Sequence, residues 1–194
     1  EVLMSDPRIR KLTFTGSTEV GKLLYRQAAD TVKRISLELG GHAPYLVFED
    51  ADLERAVRET VACKFRNAGQ TCVCTNRIYV HEGIAEAFTE RFVAATEALR
   101  LGDPLEETTD IGPLVSAEGF EKVERHVRDA LERGAQLRAG GAGAGGLYFQ
   151  PTVLTGARED MLLMNEETFG PVAPIATFRT DEEAVRRANA TPFG

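Results

Sequence analysis

Segments with the spacing of strands and segments with the spacing of helices alternate along the whole chain. Short apolar or alternating runs predict strands at residues 11–15, 34–39, 45–48 and 77–80. Helical periodicity occupies about residues 18–29, 84–99 and 117–133. Because alternation of this kind lets helices cover the faces of a sheet, it is typical of an α/β architecture. We therefore expect an α/β fold.

A short turn that contains glycine holds one of the three cysteines. Cys72 lies in the run FRNAGQTCVC at residues 65–74, between a helical segment with acids at its start, Asp50 and Asp52, and the strand at 77–80. A thiol in such a turn is accessible to substrate and can be ionised by nearby amide dipoles or cations. The alternative is that Cys72 is a small buried residue in a tight connection. The local pattern alone does not decide between these two interpretations.

A carboxylate between two leucines is the second candidate for chemistry. Glu38 lies in the run LELGG at residues 37–41. Its apolar neighbours disfavour ionisation, which would suit the carboxylate to accept a proton near neutral pH. Together with a reactive thiol it would form a plausible pair for acyl transfer. The simpler alternative is that Glu38 is the outward residue of an alternating strand at 35–39.

Four motifs, in order, carry a resemblance to a known family. They are FTGSTEVG at residues 14–21, LELGG at 37–41, NAGQTC at 67–72 and EETFGPV at 166–172. In sequence and spacing they resemble the signatures of the aldehyde dehydrogenase superfamily, and the resemblance covers the whole chain. Within that superfamily, residues 64–76 are most similar to succinate-semialdehyde dehydrogenases and their glutarate-semialdehyde relatives.

The resemblance also implies a domain organisation. Residues 1–40 would form the C-terminal part of a Rossmann-like dinucleotide-binding domain, and residues 41–194 most of an α/β catalytic domain that is incomplete at its C-terminal end. Members of the superfamily are much longer than 194 residues. We therefore expect an internal fragment that is inactive by itself.

The activity implied by the resemblance is oxidation of an aldehyde, such as a semialdehyde, to the acid with NAD or NADP. The thiolate of Cys72 would attack the carbonyl carbon, and loss of a hydride would leave a thioester. Glu38 would then activate the water that releases the acid. Two alternatives stay open at this point: a noncatalytic remnant or structural subunit of the same fold, and a thiol redox sensor.

The glycine-containing run at residues 16–21 is the candidate for cofactor binding. A strand that ends at Thr15, then small residues and a helix, presents backbone N–H groups and a positive dipole end to an anion. The run is not the standard Rossmann fingerprint, and on the strength of the motif alone a capped helix after a strand is the better explanation. The resemblance reverses this preference. The resemblance assigns cofactor binding to Gly16, Ser17, Gly21, Leu39, Glu167 and Phe169. The alternative for Glu167 is a loop carboxylate, and for Phe169 a core aromatic residue.

Two further residues receive roles from the semialdehyde dehydrogenases. Arg66, six positions before Cys72, matches an arginine that binds the far carboxylate of the substrate, and a guanidinium suits such a planar, bidentate contact. The alternative is an exposed arginine at a helix end. Cys74 matches the partner of the catalytic cysteine in a redox switch. Alternate residues of a regular strand lie too far apart for a disulfide, so the loop would have to fold back.

Composition excludes several other classes. A formal charge of −7 and a pI near 5.1 oppose nonspecific binding to nucleic acid. No apolar stretch reaches the roughly 18 residues that a spanning helix needs, so we expect no membrane role. Three cysteines and scattered histidines predict neither a disulfide scaffold nor a metal site, which favours a reducing cytoplasm. The resemblance implies a small-molecule aldehyde as substrate and a homo-oligomer, a dimer or tetramer.

Two segments rich in glycine or proline are predicted to be connections. Residues 102–113 contain prolines and glycines that interrupt both helix and strand patterns. Residues 139–146 (AGGAGAGG) lack the lysine and hydroxyl of a phosphate-binding loop, and no helical pattern follows directly. A flexible hairpin connection accounts for them better.

Overall fold

The computed structural model describes residues 2–193 and divides them into two compact units, one that ends at Gly41 and one that begins at His42. The first unit contains α1 (Val2–Ser5), β1 (Lys11–Thr15), α2 (Thr18–Ala29) and β2 (Arg34–Glu38). The strands β1 and β2 pair in parallel, and α2 provides the crossover connection that a parallel pair needs. The predicted strands at 11–15 and 34–39 and the helix at 18–29 are confirmed.

The second unit is built on a five-stranded sheet with the order β3-β4-β7-β6-β5. Its strands are β3 (Ala43–Val47), β4 (Thr75–His81), β5 (Gln136–Ala139), β6 (Thr152–Thr155) and β7 (Val172–Phe178). Its helices are α3 (Leu53–Phe65), α4 (Ala85–Glu97), α5 (Ala117–Glu132), α6 (Leu162–Asn165) and α7 (Asp181–Ala188). All neighbouring strands are parallel except β5 and β6, which are antiparallel. The α/β prediction is confirmed.

The central strands β4 and β7 are buried along almost their whole length. Burial on both faces is typical of parallel strands covered by helices, and it explains why Ile78, Tyr79 and Val80 follow one another without an alternating polar residue. The helix before Cys72 begins where the acids predicted it, because the Asp52 side chain accepts a hydrogen bond from the N–H of Arg55 at 3.1 Å.

The two predicted connections are also confirmed. Residues 102–113 contain neither helix nor strand, and residues 140–151 join the antiparallel strands β5 and β6. Gly140 in this connection has a φ of +68°, and a Cβ atom there would lie 2.2 Å from the carbonyl oxygen of Pro151. Only glycine fits that position.

A buried arginine links three parts of the second unit. Arg77 of β4 is 1% exposed. Its Nε donates to the carbonyl oxygen of His42 at 2.9 Å, and its two terminal nitrogens donate to the carbonyl oxygens of Arg187 and Ala188 at 3.2 and 2.9 Å. The guanidinium therefore ties the central strand to the start of the unit and to the end of α7.

A buried histidine makes the stability of this unit depend on pH. His42 is 2% exposed, and burial, assisted by the positive charges of Arg77 and Lys64, lowers its pKa to about 4. In the unfolded chain the ring takes up a proton below about pH 6.5. Between these values the unfolded state binds more protons than the folded state, so stability falls as the pH is lowered.

We expect His42→Asn to flatten the pH dependence of stability in the whole natural polypeptide that contains this chain. The wild type should lose up to about 3 kcal/mol of unfolding free energy through His42 between pH 6.5 and pH 4, since one pKa unit corresponds to about 1.4 kcal/mol. Urea unfolding of both proteins at several pH values measures this share. Identical slopes over that range would contradict a neutral, buried His42.

Candidate active site

The turn that carries Cys72 is exposed. After α3 ends at Phe65, a short 3-10 turn covers Arg66–Gly69, and the N–H of Cys74 then closes a tight turn by donating to the carbonyl oxygen of Thr71 at 3.0 Å. Within this turn Cys72 is exposed, whereas Cys74 is fully buried. The alternative of a buried Cys72 is therefore wrong. Its role as nucleophile stays a prediction.

The backbone ahead of Cys72 is left-handed at three consecutive residues. Asn67, Ala68 and Gly69 have φ values of 52°, 55° and 72°. Only glycine adopts this conformation freely, and for an alanine it costs about 1–2 kcal/mol. Two hydrogen bonds of 3.0 Å hold the turn. The side-chain Nδ2 of Asn67 donates to the backbone carbonyl oxygen of Gln70, and the side-chain Nε2 of Gln70 donates to the backbone carbonyl oxygen of Asn67. Strained backbone held in this way is characteristic of functional sites.

The buried side chain of Gln70 anchors the turn to a distant loop. Its Oε1 accepts a hydrogen bond from the N–H of Val115 at 2.8 Å, and its Nε2 lies 3.3 Å from the carbonyl oxygen of Pro113. The glutamine thus contacts both its own turn and the end of the connection before α5. These contacts limit the movement of the segment that leads to Cys72.

Two of the four sequence motifs meet through a pair of glycines. A Cβ atom on Gly69 would lie only 2.2 Å from the carbonyl oxygen of Gly170. The backbone before Cys72 therefore packs directly on the segment 166–170, which contains Glu167 and Phe169. Glycine is required at position 69 both for this approach and for the positive φ.

The aromatic residue of that segment is not a core residue. Phe169 is 36% exposed and has a φ of +53°. A non-glycine residue in this conformation is uncommon and indicates either strain or a functional constraint. The alternative of a core aromatic is therefore wrong. An exposed ring and a partly exposed carboxylate, Glu167, thus lie in the segment that packs on the turn before Cys72, and their assignment to the cofactor stays a prediction.

In the first unit, the candidate cofactor residues lie around the start of α2. The Ser17 side chain caps this helix by accepting a hydrogen bond from the N–H of Val20 at 3.3 Å. A Cβ atom on Gly21 would lie 2.5 Å from Cδ2 of Leu39, so packing against that leucine accounts for the glycine. The first turn of a 12-residue helix offers N–H groups and a positive dipole end that fit an anion such as a pyrophosphate.

The candidate base is not desolvated by its neighbours. Glu38 is the last residue of β2 and is exposed, so Leu37 and Leu39 do not keep water from its carboxylate. The expectation based on its apolar neighbours is therefore wrong. Glu38 does lie beside the cofactor motif, because its carbonyl oxygen accepts a hydrogen bond from the N–H of Gly16 at 3.0 Å. Its role as base stays a prediction.

The candidate substrate residue is free to bind an anion. Arg66 is exposed at the end of α3, and no acceptor among residues 2–193 binds its guanidinium. An arginine without a partner can present its full set of donors to a carboxylate. Exposure is equally consistent with an ordinary arginine at a helix end, so the assignment to substrate stays a prediction.

Comparisons with known proteins identify the family. The whole chain, residues 1–194, matches the aldehyde dehydrogenase family. The chain belongs to this family. It is 54% identical to 3-sulfolactaldehyde dehydrogenase of Pseudomonas putida and 48% identical to the NADP(+) succinate-semialdehyde dehydrogenase of Escherichia coli, over 100% and 99% of the chain and 40% of each relative.

A solved structure agrees with this assignment. The structure of succinate-semialdehyde dehydrogenase from Burkholderia pseudomallei matches 99% of this chain and 40% of its own length, with a TM-score of 0.98 and 52% identity. The chain thus spans about 40% of the length of the relatives it matches. Residues 2–193 contain no helix long and apolar enough to cross a membrane and no cluster of ligands suited to a metal ion.

Sequence reasoning missed a buried lysine that contacts the end of the turn carrying Cys72. Lys64 of α3 is fully buried, and its Nζ lies 3.3 Å from Sγ of Cys74 and 3.1 Å from Oδ1 of Asn76. Burial lowers the pKa of this lysine. The residue joins the two ends of the loop that carries Cys72. The loop does fold back at residues 71–74, as a Cys72–Cys74 disulfide would require, but the disulfide stays a prediction.

Proposed function

We propose that the natural polypeptide containing this chain oxidises an aldehyde to a carboxylic acid with NAD or NADP, and that Cys72 is its nucleophile. The observation that carries the proposal is the exposed thiol in a strained turn, packed through Gly69 on the segment of Glu167 and Phe169. Membership of the aldehyde dehydrogenase family and the names of the relatives support it.

The chemistry assigned to this chain starts at the thiol. The Cys72 thiolate attacks the aldehyde carbon, which has no leaving group, and forms a tetrahedral carbon. The backbone N–H of Cys72 donates to the developing oxyanion. When bound, NAD or NADP supplies a nicotinamide that accepts the hydride. On the family resemblance, Glu38 takes a proton from the water that hydrolyses the resulting Cys72 thioester.

The substrate that fits best is a short aldehyde with an anionic group at its far end. Arg66 is an exposed guanidinium without a partner among the described residues, six positions before Cys72. The relatives named above act on succinate semialdehyde and on 3-sulfolactaldehyde, which carry a carboxylate and a sulfonate. A guanidinium binds the planar carboxylate with two parallel hydrogen bonds and accepts a sulfonate as well. Succinate semialdehyde is the first candidate and 3-sulfolactaldehyde the second.

We expect Arg66→Ala to raise KM for succinate semialdehyde about 10- to 100-fold, because a hydrogen-bonded contact to a charged group contributes about 1.5–3 kcal/mol. KM for butanal, which lacks the carboxylate, should change little. Steady-state kinetics on both aldehydes, and on 3-sulfolactaldehyde, measure the effect in the whole natural polypeptide. The control is Arg58→Ala, which removes an exposed arginine within α3, one residue before Glu59 with which it forms an ion pair. Equal losses on charged and uncharged aldehydes would remove Arg66 from this role.

A further inference from the structure

One face of α5 holds the segment that leads to Glu167. Four polar residues, Lys122, Arg125, His126 and Asp129, are spaced three and four positions apart, so they lie on the same side of the helix. Oδ2 of Asp129 accepts a hydrogen bond from the N–H of Leu162 at 2.8 Å, at the start of α6.

The other members of this face bind the end of the same segment. Arg125 forms an ion pair with Glu166 at 3.3 Å. Lys122 interacts electrostatically with Glu166 and Glu167, and burial lowers the pKa of this lysine. This face therefore contacts the segment 162–168 near both of its ends, at Leu162 and at Glu166 and Glu167.

His126 is the centre of this face and is fully buried. Its Nε2 lies 3.1 Å from Oε2 of Glu166, and its Nδ1 lies 3.2 Å from Oγ1 of Thr168. The two partners are the residues immediately before and after Glu167. One imidazole ring thus holds both neighbours of the residue assigned to the nicotinamide ribose.

The neutral form of the ring satisfies both contacts. The ionised carboxylate of Glu166 can only accept, so Nε2 carries the proton and donates it. The Thr168 hydroxyl then donates to the unprotonated Nδ1. Burial is the main influence on this ring and lowers the pKa of His126, although Glu166 opposes that effect. The neutral tautomer is therefore the form that the fold favours near neutral pH.

The same helix also limits the residue after Phe169. A Cβ atom on Gly170 would lie 2.3 Å from Cγ2 of Val123. Phe169, with its positive φ, therefore lies between two points that α5 fixes, Thr168 and Gly170. A left-handed phenylalanine persists only where the surroundings determine its backbone in this way.

We propose that His126 is a positioning residue for cofactor binding. It sets the backbone of Glu167 and Phe169 through Glu166 and Thr168, and it does not itself touch the cofactor. This inference rests on the proposed function, because it assumes that Glu167 and Phe169 bind the nicotinamide end of NAD or NADP. It assigns a role to a histidine that the sequence motifs do not include.

The experiment compares variants in the whole natural polypeptide. His126→Leu removes both hydrogen bonds, while His126→Gln keeps one donor and one acceptor. Thr168→Val removes only the hydrogen bond between Thr168 and His126 and hardly changes the volume of the side chain. It is the milder test if His126→Leu does not fold. The matched control is Ala130→Gly, which weakens α5 at another buried position without removing a side-chain hydrogen bond or ion pair to residues 162–168.

Two measurements are made on each variant: amide hydrogen exchange of residues 162–170, and the Kd for NAD and for NADP by fluorescence titration. We expect His126→Leu to raise exchange in this segment and to weaken cofactor binding about 10-fold, since two buried hydrogen bonds are lost. Thr168→Val should shift both in the same direction by less. His126→Gln should restore most of the affinity, and Ala130→Gly should leave both close to wild type.

The two measurements separate the inference from the proposed function. Unchanged exchange in His126→Leu would overturn the inference, and so would raised exchange with an unchanged cofactor Kd. An equal loss of affinity in Ala130→Gly would overturn it as well, because the effect would then be general instability of α5. Failure of the proposed function has a different signature: the wild type would bind neither NAD nor NADP, while exchange would still rise in His126→Leu.

Discussion

Replacing Cys72 with serine is expected to reduce aldehyde oxidation by the whole natural polypeptide about a thousand-fold or more, since loss of a covalent nucleophile is among the most damaging changes to an enzyme. A thiol ionises far more readily than a hydroxyl, so serine at this position is a poor nucleophile near neutral pH. Cofactor affinity should stay near wild type, because the substitution does not alter the segment of Glu167 and Phe169. Initial rates with saturating aldehyde and cofactor measure the loss.

Cys63→Ser is the matched control for this prediction. It makes the same thiol-to-hydroxyl change at a partly buried site in the last turn of α3, where the thiol accepts a hydrogen bond from Oγ1 of Thr75 at 3.0 Å. Its activity should stay close to wild type. If Cys72→Ser retained the wild-type rate, the covalent mechanism would be wrong.

Iodoacetamide labelling distinguishes the enzyme from its two rivals, a noncatalytic remnant and a thiol redox sensor. Exposure predicts that Cys72 reacts first, before the partly buried Cys63 and the buried Cys74. In an enzyme, NAD or NADP bound beside the turn should change the labelling rate of Cys72. A remnant or a sensor should show the same rate with and without cofactor.

Some helices and strands could be predicted from the sequence because their hydrophobic patterns are regular. The strands and helix of the first unit, as well as α4 and α5, were predicted to within a few residues. Their apolar residues recur with a clear period of two or 3.6. Capping acids such as Asp52 added a second, independent signal at the start of α3.

Strand β7 was missed for a physical reason. Proline is normally excluded from a central strand because it lacks an N–H for the ladder, and Pro174 lies within Val172–Phe178. In the structure, β7 pairs with β4 only from Ile175 onward. Pro174 is paired with Leu154 of β6 and with no residue of β4. Its missing N–H therefore removes no hydrogen bond from the ladder between β7 and β4. The sequence does not reveal this offset.

The candidate site was predicted in its parts and not in its assembly. The motifs identified Cys72 and Phe169, but the packing of Gly69 on Gly170 joins residues about a hundred positions apart and has no local signature. The left-handed Ala68 contradicts the ordinary preference of alanine, so only tertiary contacts explain it. His126 looked like one of three scattered histidines until α5 placed it between Glu166 and Thr168.

Replacing Arg77 with leucine is expected to destabilise the second unit by about 3 kcal/mol or more. The substitution leaves three carbonyl oxygens, the buried one of His42 and the partly buried ones of Arg187 and Ala188, without their donor. A buried group left unsatisfied costs about 1–3 kcal/mol. Relief from burying a cation offsets part of this loss. The measurement is urea unfolding at neutral pH, and the shift of the transition midpoint gives the loss of stability.

Arg77→Lys tests whether the charge or the geometry of the guanidinium is responsible. Lysine keeps the positive charge but carries a compact ammonium on a flexible stem, which cannot reproduce a rigid fork that reaches three carbonyls. We therefore expect Arg77→Lys to lose most of the same stability. The control is Arg179→Leu, which removes an arginine whose side chain is 78% exposed in an ion pair with Glu82 and should cost at most about 1 kcal/mol. If Arg77→Leu and Arg179→Leu shifted the midpoint equally, the three hydrogen bonds of Arg77 would contribute no more than a surface ion pair, and Arg77 would not hold β4, His42 and α7 together.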